Sequence, residues 1–207
     1  MMETIKVGFK RLNDNAIIPT KAYPTDSGFD LYASEDVIIE PGETTVVPTG
    51  IAVELPPGYE ATVRPRSGIT AKTKLRVQLG TIDNEYRGEI GVIVDNIAPE
   101  DLDGMPCEYF ALSIENKPLP EYKSNFVEGT YIIRKGDRIA QLVIQPIPYV
   151  KAYEVEAELS ETERGDGGFG STGYRTKELK TIEPKIKDGK ILFDRNNPDH
   201  RYIMEDD

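Results

Sequence analysis

One histidine and one cysteine in 207 residues leave little room for much familiar enzyme chemistry. His200 stands in the charged stretch Asn196–Arg201 and reads as a solvated tail residue. A Ser-His-Asp triad, a histidine-based zinc centre and a Cys/His cluster each need more than the chain offers. Cys107 has no second cysteine to pair with inside the chain, which fits a reducing compartment. Also lacking is any run near the ~20 apolar residues that cross a bilayer. The opening Met1–Lys6 carries no apolar h-region of a secretory signal. We read the chain as cytoplasmic, with no membrane partner. Positive charge is short too: 25 Lys and Arg face 36 Asp and Glu, a net charge of −11. A field of that sign opposes direct binding to nucleic acid. It opposes an anionic small molecule as well, so a nucleotide substrate would demand local reversal by arginines, backbone N–H groups and a divalent cation. The catalyst must come from carboxylates, arginines, tyrosines or a weakly held metal.

What the chain has in quantity is turn punctuation, with 18 Gly and 15 Pro. Short β-branched and apolar runs stand between these breaks: Val37–Glu40, Thr44–Val47, Gly50–Leu55, Tyr59–Val63, Glu89–Val94 and Arg138–Gln145. In the last, Ala140, Leu142 and Ile144 share one face. This rhythm predicts an all-β, jelly-roll-like barrel over residues 1–158. One short helix is expected around Ser67–Lys74, with Ser67 as its cap. Residues 97–130 read as an insertion between two core strands, residues 159–173 as a glycine-rich arm, and 174–207 as a charged extension, surface-docked or partly disordered.

Five stretches carry residues suited to chemistry, each with a plain structural reading beside it. Gly80–Gly91 reads as a β-hairpin whose glycines let backbone groups approach a flat ring. There Asp83 could orient or deprotonate a water and Tyr86 could support a sugar; the alternative is an ordinary turn. Arg64–Lys72 places Arg66, Ser67 and Gly68 at a helix start, a setting for phosphate or merely a capped surface helix. Arg164–Gly173 combines an arginine, Phe169 and the hydroxyls of Ser171 and Thr172 on a glycine scaffold, either a lid or a linker. Asp26–Leu31 offers Asp30, which could help hold a hydrated magnesium ion, and Lys135–Leu142 leads into a strand.

Together and in this order, these stretches resemble the five motifs of the trimeric dUTPase family, as Asp26–Ala33, Pro65–Lys72, Gly80–Gly91, Gly136–Leu142 and Arg164–Gly173. The resemblance implies a homotrimeric jelly-roll-like barrel with a swapped C-terminal arm, each active site drawing on all three chains. It implies dUTP as substrate, hydrolysed with Mg2+ to dUMP and pyrophosphate, so that dUMP is supplied and uracil kept out of DNA. On this resemblance Asp83 activates the water, and the backbone from Gly80 through Ile82 to Gly91 reads uracil above Tyr86. Arg66, Ser67, Gly68 and Gln141 contact phosphates, Asp30 lies near the metal's water shell, and Arg138 is structural. Arg164, Phe169, Gly170, Ser171 and Thr172 close over the nucleotide. A comparable insertion looks like those of some phage dUTPases, where it engages a regulatory protein, so 97–130 is a candidate partner surface. Two rivals stand beside this reading. One is a dCTP deaminase-type member of the fold; the other is a nucleotide-gated regulatory binding protein, against which the retained Asp83 argues.

Overall fold

A strand points successive side chains to opposite faces, so alternation lets one face seal a core while the other meets water. The computed structural model describes residues 5–99, 109–168, 185–187 and 190–192. In chain order the first strands are β1 (Gly8–Arg11), β2 (Gly28–Tyr32), β3 (Val37–Ile39), β4 (Thr44–Pro48), β5 (Ile51–Glu54) and β6 (Tyr59–Pro65). The helix α1 (Ser67–Lys72) follows. Then come β7 (Leu75–Val77), β8 (Gly80–Ile82), β9 (Gly91–Asn96), β10 (Tyr109–Leu112), β11 (Pro118–Phe126), β12 (Tyr131–Ile133) and β13 (Arg138–Pro146). All of these belong to a unit Met1–Lys151; a second unit spans Ala152–Asp207. No helix among the described residues is long and apolar enough to cross a membrane.

Among its described residues the first unit is all-β apart from α1, as the turn rhythm predicts. Its sheets run β1-β5, β11-β10-β12-β3, β2-β13-β6-β8 and β4-β9-β7. Among the described residues the ladders leave these sheets separate, so the barrel is not closed. They nonetheless share one core. Leu31, Ile39, Val47, Ile51, Val63, Leu75, Ile133 and Leu142, from eight different strands, are sealed from solvent in a single cluster. Burying each such side chain stabilises the fold by about 1.5–3 kcal/mol. In β9, Val92 and Val94 face inward with Asn96. The Asn96 amide is satisfied there, donating to the Ile39 carbonyl at 3.0 Å and the Gly129 carbonyl at 2.9 Å.

Two expectations need correction. The segment Gly80–Gly91 is not a hairpin: β8 pairs with β6, whereas β9 pairs with β4 and β7. Ile82 and Val92 enter the core from different sheets, so the chain between them crosses from one sheet to another. Ser67 does not cap α1 either. Arg66 takes the cap position, with extended φ and ψ of −90° and 126° and no side-chain cap hydrogen bond. Its carbonyl accepts from Ile69 and Thr70 at 3.1 Å each, and buried Ile69 anchors the single turn.

The segment 97–130 is more than a loop. β10 and β11 pair antiparallel, and β10 runs alongside β12. Ala111, Leu119 and Ile132 form a second small apolar cluster with Tyr122 and Phe126 against it. Tyr122 donates to Asp36 Oδ2 at 2.5 Å, and the Lys135 amide donates to Oδ1 at 2.8 Å. These bonds, the tyrosine's first, hold the Asp36 carboxyl below the ordinary carboxylate range. The bond to Asp36 likewise raises the Tyr122 hydroxyl above its ordinary value.

A depressed carboxyl contributes stability above its unfolded pKa and loses it as pH falls through the folded one. The raised phenol contributes below its unfolded pKa and loses it as pH rises through the folded one. Both groups lie near the surface, so Tyr122→Phe should cost only about 0.5–1 kcal/mol at neutral pH. The cost should vanish once pH drops well below about 3.9. Urea unfolding at both pH values checks this, and an equal cost at both would discount the bond.

In the second unit, β14 (Lys185–Lys187) and β15 (Lys190–Leu192) pair antiparallel, with Ile186 opposite Ile191. The charged extension thus contains a short antiparallel strand pair. Cys107, Phe169, Gly170, Ser171, Thr172 and His200 lie outside the described residues.

Candidate functional site

Asp30 sits in β2 with 5% of its surface exposed. A carboxylate so buried must be paired. Arg66, just past the end of β6, bonds one oxygen through Nη1, and Arg138 at the start of β13 reaches the other at 3.3 Å. The register of β13 sets Gln141 opposite Asp30 on one side and Arg64 on the other. The fold therefore brings Asp30, Arg66 and Gln141 to one end of the β2-β13-β6 ladder, with Arg138 as a further member. Ser67 and Gly68 follow in α1. A Cβ built at Gly68 would meet nothing within 4 Å. The chain has no steric need of glycine there, although glycine costs a helix about 0.5–1 kcal/mol relative to alanine. The bare position leaves space next to Arg66 for a group from outside the chain.

Asp137 precedes Arg138 in a turn made by Gly136 at φ 87°. The Gly136 amide donates to the Ala33 carbonyl at 2.8 Å, and the Ala33 amide to the Asp137 carbonyl at 3.0 Å. Burial pushes the Asp137 carboxyl up. The first half of this stretch therefore shapes a turn, and Arg138 and Gln141 in the second half reach the cluster.

Asp83 lies toward the opposite end of β6, whereas Gly80 pairs nearer the Arg66 end and Gly91 stands in a different sheet. Ile82 pairs with Ala61, so Asp83 follows beside Glu60. Arg66 lies six positions further along the strand, or roughly 20 Å at about 3.3 Å per residue. Asp83 is exposed, and among the described residues nothing donates to its carboxylate. Its carbonyl accepts from the Tyr86 amide at 3.1 Å. The Tyr86 hydroxyl donates to the Glu89 carbonyl at 2.9 Å. That fold-back needs Gly88, where a Cβ would fall 2.6 Å from the ring's Cζ. Gly80 is opposite Val63 and Gly91 opposite Pro48.

Side-chain-to-backbone bonds pin the crossing from Asp83 to Ile90. Asn84 Nδ2 donates to the carbonyls of Pro56 at 2.7 Å, Tyr59 at 3.1 Å and Leu55 at 3.3 Å. Arg87 donates to the Asn84 carbonyl at 2.7 Å, and the Gly50 amide donates to Glu89 at 2.6 Å. The Asn84 clamp has no signature in the sequence, where asparagine reads as a turn former. In the second unit, Arg164 Nε donates to the Gly167 carbonyl at 2.8 Å, and the Gly165 amide donates to the Thr162 hydroxyl at 3.1 Å. No group of three or more His, Cys, Asp or Glu able to cage a metal ion occurs among the described residues.

Fold and site together define a β-protein with an arginine–carboxylate cluster at one end of a strand and an exposed carboxylate beside the other. A family model described as dUTPase matches residues 14–103 and 122–173. A deoxyuridine 5'-triphosphate nucleotidohydrolase of Syntrophotalea carbinolica is 40% identical over 177 residues, covering 84% of this chain and all of the relative. That of Clostridioides difficile is 41% identical, with the same coverage of both chains. Among solved structures, the dUTPase of Staphylococcus bacteriophage 80alpha with dUPNHPP superposes with a TM-score of 0.76 at 38% identity, covering 82% of this chain and 99% of that one. The dUTPase of phage phi11 of S. aureus, whose species-specific insert was visualised, gives 0.69 at 33%, covering 76% and 100%. The chain belongs to the dUTPase family.

Proposed function

We propose that this protein, a dUTP diphosphatase by family, hydrolyses dUTP through an Asp83-activated water in sites shared between copies of the chain. The observation that carries this reading is the split along β6. A triphosphate cannot touch Asp83, beside the start of β6, and Arg66, just past its end, roughly 20 Å away. If the Asp83 loop of one copy faces the Arg66 cluster of another, a homotrimer with three shared sites uses both halves. Arg164, Phe169, Gly170, Ser171 and Thr172 then close over the nucleotide from a third copy.

The chemistry asks for positioning and charge neutralisation more than covalent work. Asp83 takes a proton from water as the water oxygen bonds to the α-phosphorus. The bond from that phosphorus to the bridging oxygen of the β-phosphate breaks, and pyrophosphate leaves dUMP behind. Arg66 neutralises charge developing on the phosphate oxygens, Gln141 and the Ser67 hydroxyl hold them, and Gly68 makes room. Backbone groups at Gly80, Ile82 and Gly91 read the uracil edge. The Tyr86 ring, tethered at Glu89, backs the deoxyribose and disfavours a 2′-hydroxyl.

Asp30 has both oxygens engaged by arginines, so it fits a place outside a metal's direct ligands. Mg2+ would arrive on the triphosphate, keeping most of its waters, and supply charge neutralisation there. The field reversal that a net charge of −11 demands would come from the arginines together with that ion.

Pyrophosphate release from dUTP, dCTP, dTTP and UTP, each with and without a chelator, tests the proposal. Only dUTP should be turned over at an appreciable rate, and chelation should stop turnover while the melting temperature stays put. Deamination of dCTP would favour the rival enzyme, and absence of any turnover would favour a binding protein.

A further inference from the structure

We infer that Asn84 is a positioning residue for this reaction: its side-chain amide fixes the backbone from which Asp83 presents its carboxylate. The inference rests on the reading of Asp83 as the base. Among the described residues the Asp83 carboxylate has no hydrogen-bond donor of its own, so its aim is set by where the main chain leaves it. On one side stands Ile82, buried in the core cluster. On the other stands Asn84, half-buried and bonded to two carbonyls of the turn joining β5 to β6 and to the carbonyl of Tyr59 at the head of β6. An amide group has two hydrogens, so one of them is shared between two of those acceptors. The turn is itself fixed, by buried Leu55 and by the Tyr59 amide donating to the Pro56 carbonyl at 3.2 Å. Asp83 therefore emerges between two anchors, and the second is a single side chain.

Removing that side chain frees the crossing segment on one side of Asp83 only. Misplacing a catalytic group by about 1 Å can cost a hundredfold in rate, while backbone contacts to the base at Gly80 and Ile82, within β8, stay in place. A loss confined to turnover separates positioning from substrate binding.

The test measures kcat and KM for dUTP, and Kd for a non-hydrolysable α,β-imido analogue, on full-length protein. Asn84→Ala should lower kcat about 10- to 100-fold and change the analogue's Kd by less than about threefold. Gly58→Ala disturbs the same turn from the other side. Gly58 holds φ 79° with no neighbour within 4 Å of an added Cβ, so the change acts through backbone strain alone. It should lower kcat more modestly, and the double variant should lose less than the product of the two. Should Asn84→Ala not fold, Gly58→Ala carries the test by itself.

In an Asp83→Asn background, Asn84→Ala should subtract nothing further. An Asn84→Ala kcat within about twofold of the parent would overturn the inference, as would matched losses in kcat and analogue affinity. If Asp83→Asn itself turned over dUTP normally, the underlying reading would fall and this inference with it. An inactive Asp83→Asn beside an unaffected Asn84→Ala would remove the inference alone.

Discussion

Asp83→Asn should lower kcat by about a thousandfold, within the 10²–10⁴ that a positioned general base contributes, while leaving imido-analogue affinity within about threefold. The amide keeps the size of the side chain and loses the negative charge that accepts a proton. Asp83 is exposed and lies outside the core cluster, so the substitution should not disturb folding. A thousandfold corresponds to roughly 4 kcal/mol of barrier. Single-turnover measurements read the chemical step directly. A variant that releases pyrophosphate at the parent rate would dispose of the mechanism, and weakened analogue binding to match the lost rate would turn Asp83 into a binding group.

Cutting the chain after Ser160 should be nearly as damaging, with a loss of about a hundredfold in kcat/KM, because it removes the segment proposed above to exclude water and hold phosphate oxygens. The structure says why folding should survive. The cut falls inside the unit Ala152–Asp207 and leaves Met1–Lys151 whole. Every residue from Ile147 to Asp166 is exposed. Tyr149, Tyr153 and Leu159, at 99%, 82% and 79% exposure, are bare apolar groups that the truncated chain keeps. If the homotrimer proposed above forms without the arm, sedimentation should report an intact assembly. Normal activity in the truncated protein would end the lid role of Arg164 and the residues that follow it.

How far the sequence leads depends on whether a feature is local. β6 and β13 are legible because Ala61 and Val63, and Ala140 and Leu142, repeat with the strand period and are buried. Asp83 and Arg66 stand out from their immediate neighbours. The pairing of β8 and β9 is not legible, since Ile82 finds its partner at Ala61 and Gly91 at Pro48, choices made by distant strands. Nor does spacing announce that Arg66 and Arg138 converge on Asp30 from 36 and 108 positions away. Ser67 looks like a cap because caps are usually short hydroxyl side chains. The chain turns into the helix one residue earlier, and Arg66 spends its side chain on Asp30 instead.

The region 97–130 overlaps the 104–121 gap in the family match. Its hairpin roofs over Ile132, which shows no solvent-accessible surface, with Leu119, Tyr122 and Phe126 as the tiles. Excising it to ask what it recruits would bare a greasy seam along β12, and a vanished interaction would then speak of a torn scaffold as readily as of an empty dock. Swaps at outward positions such as Phe110, 44% exposed, pose the same question with the roof left on.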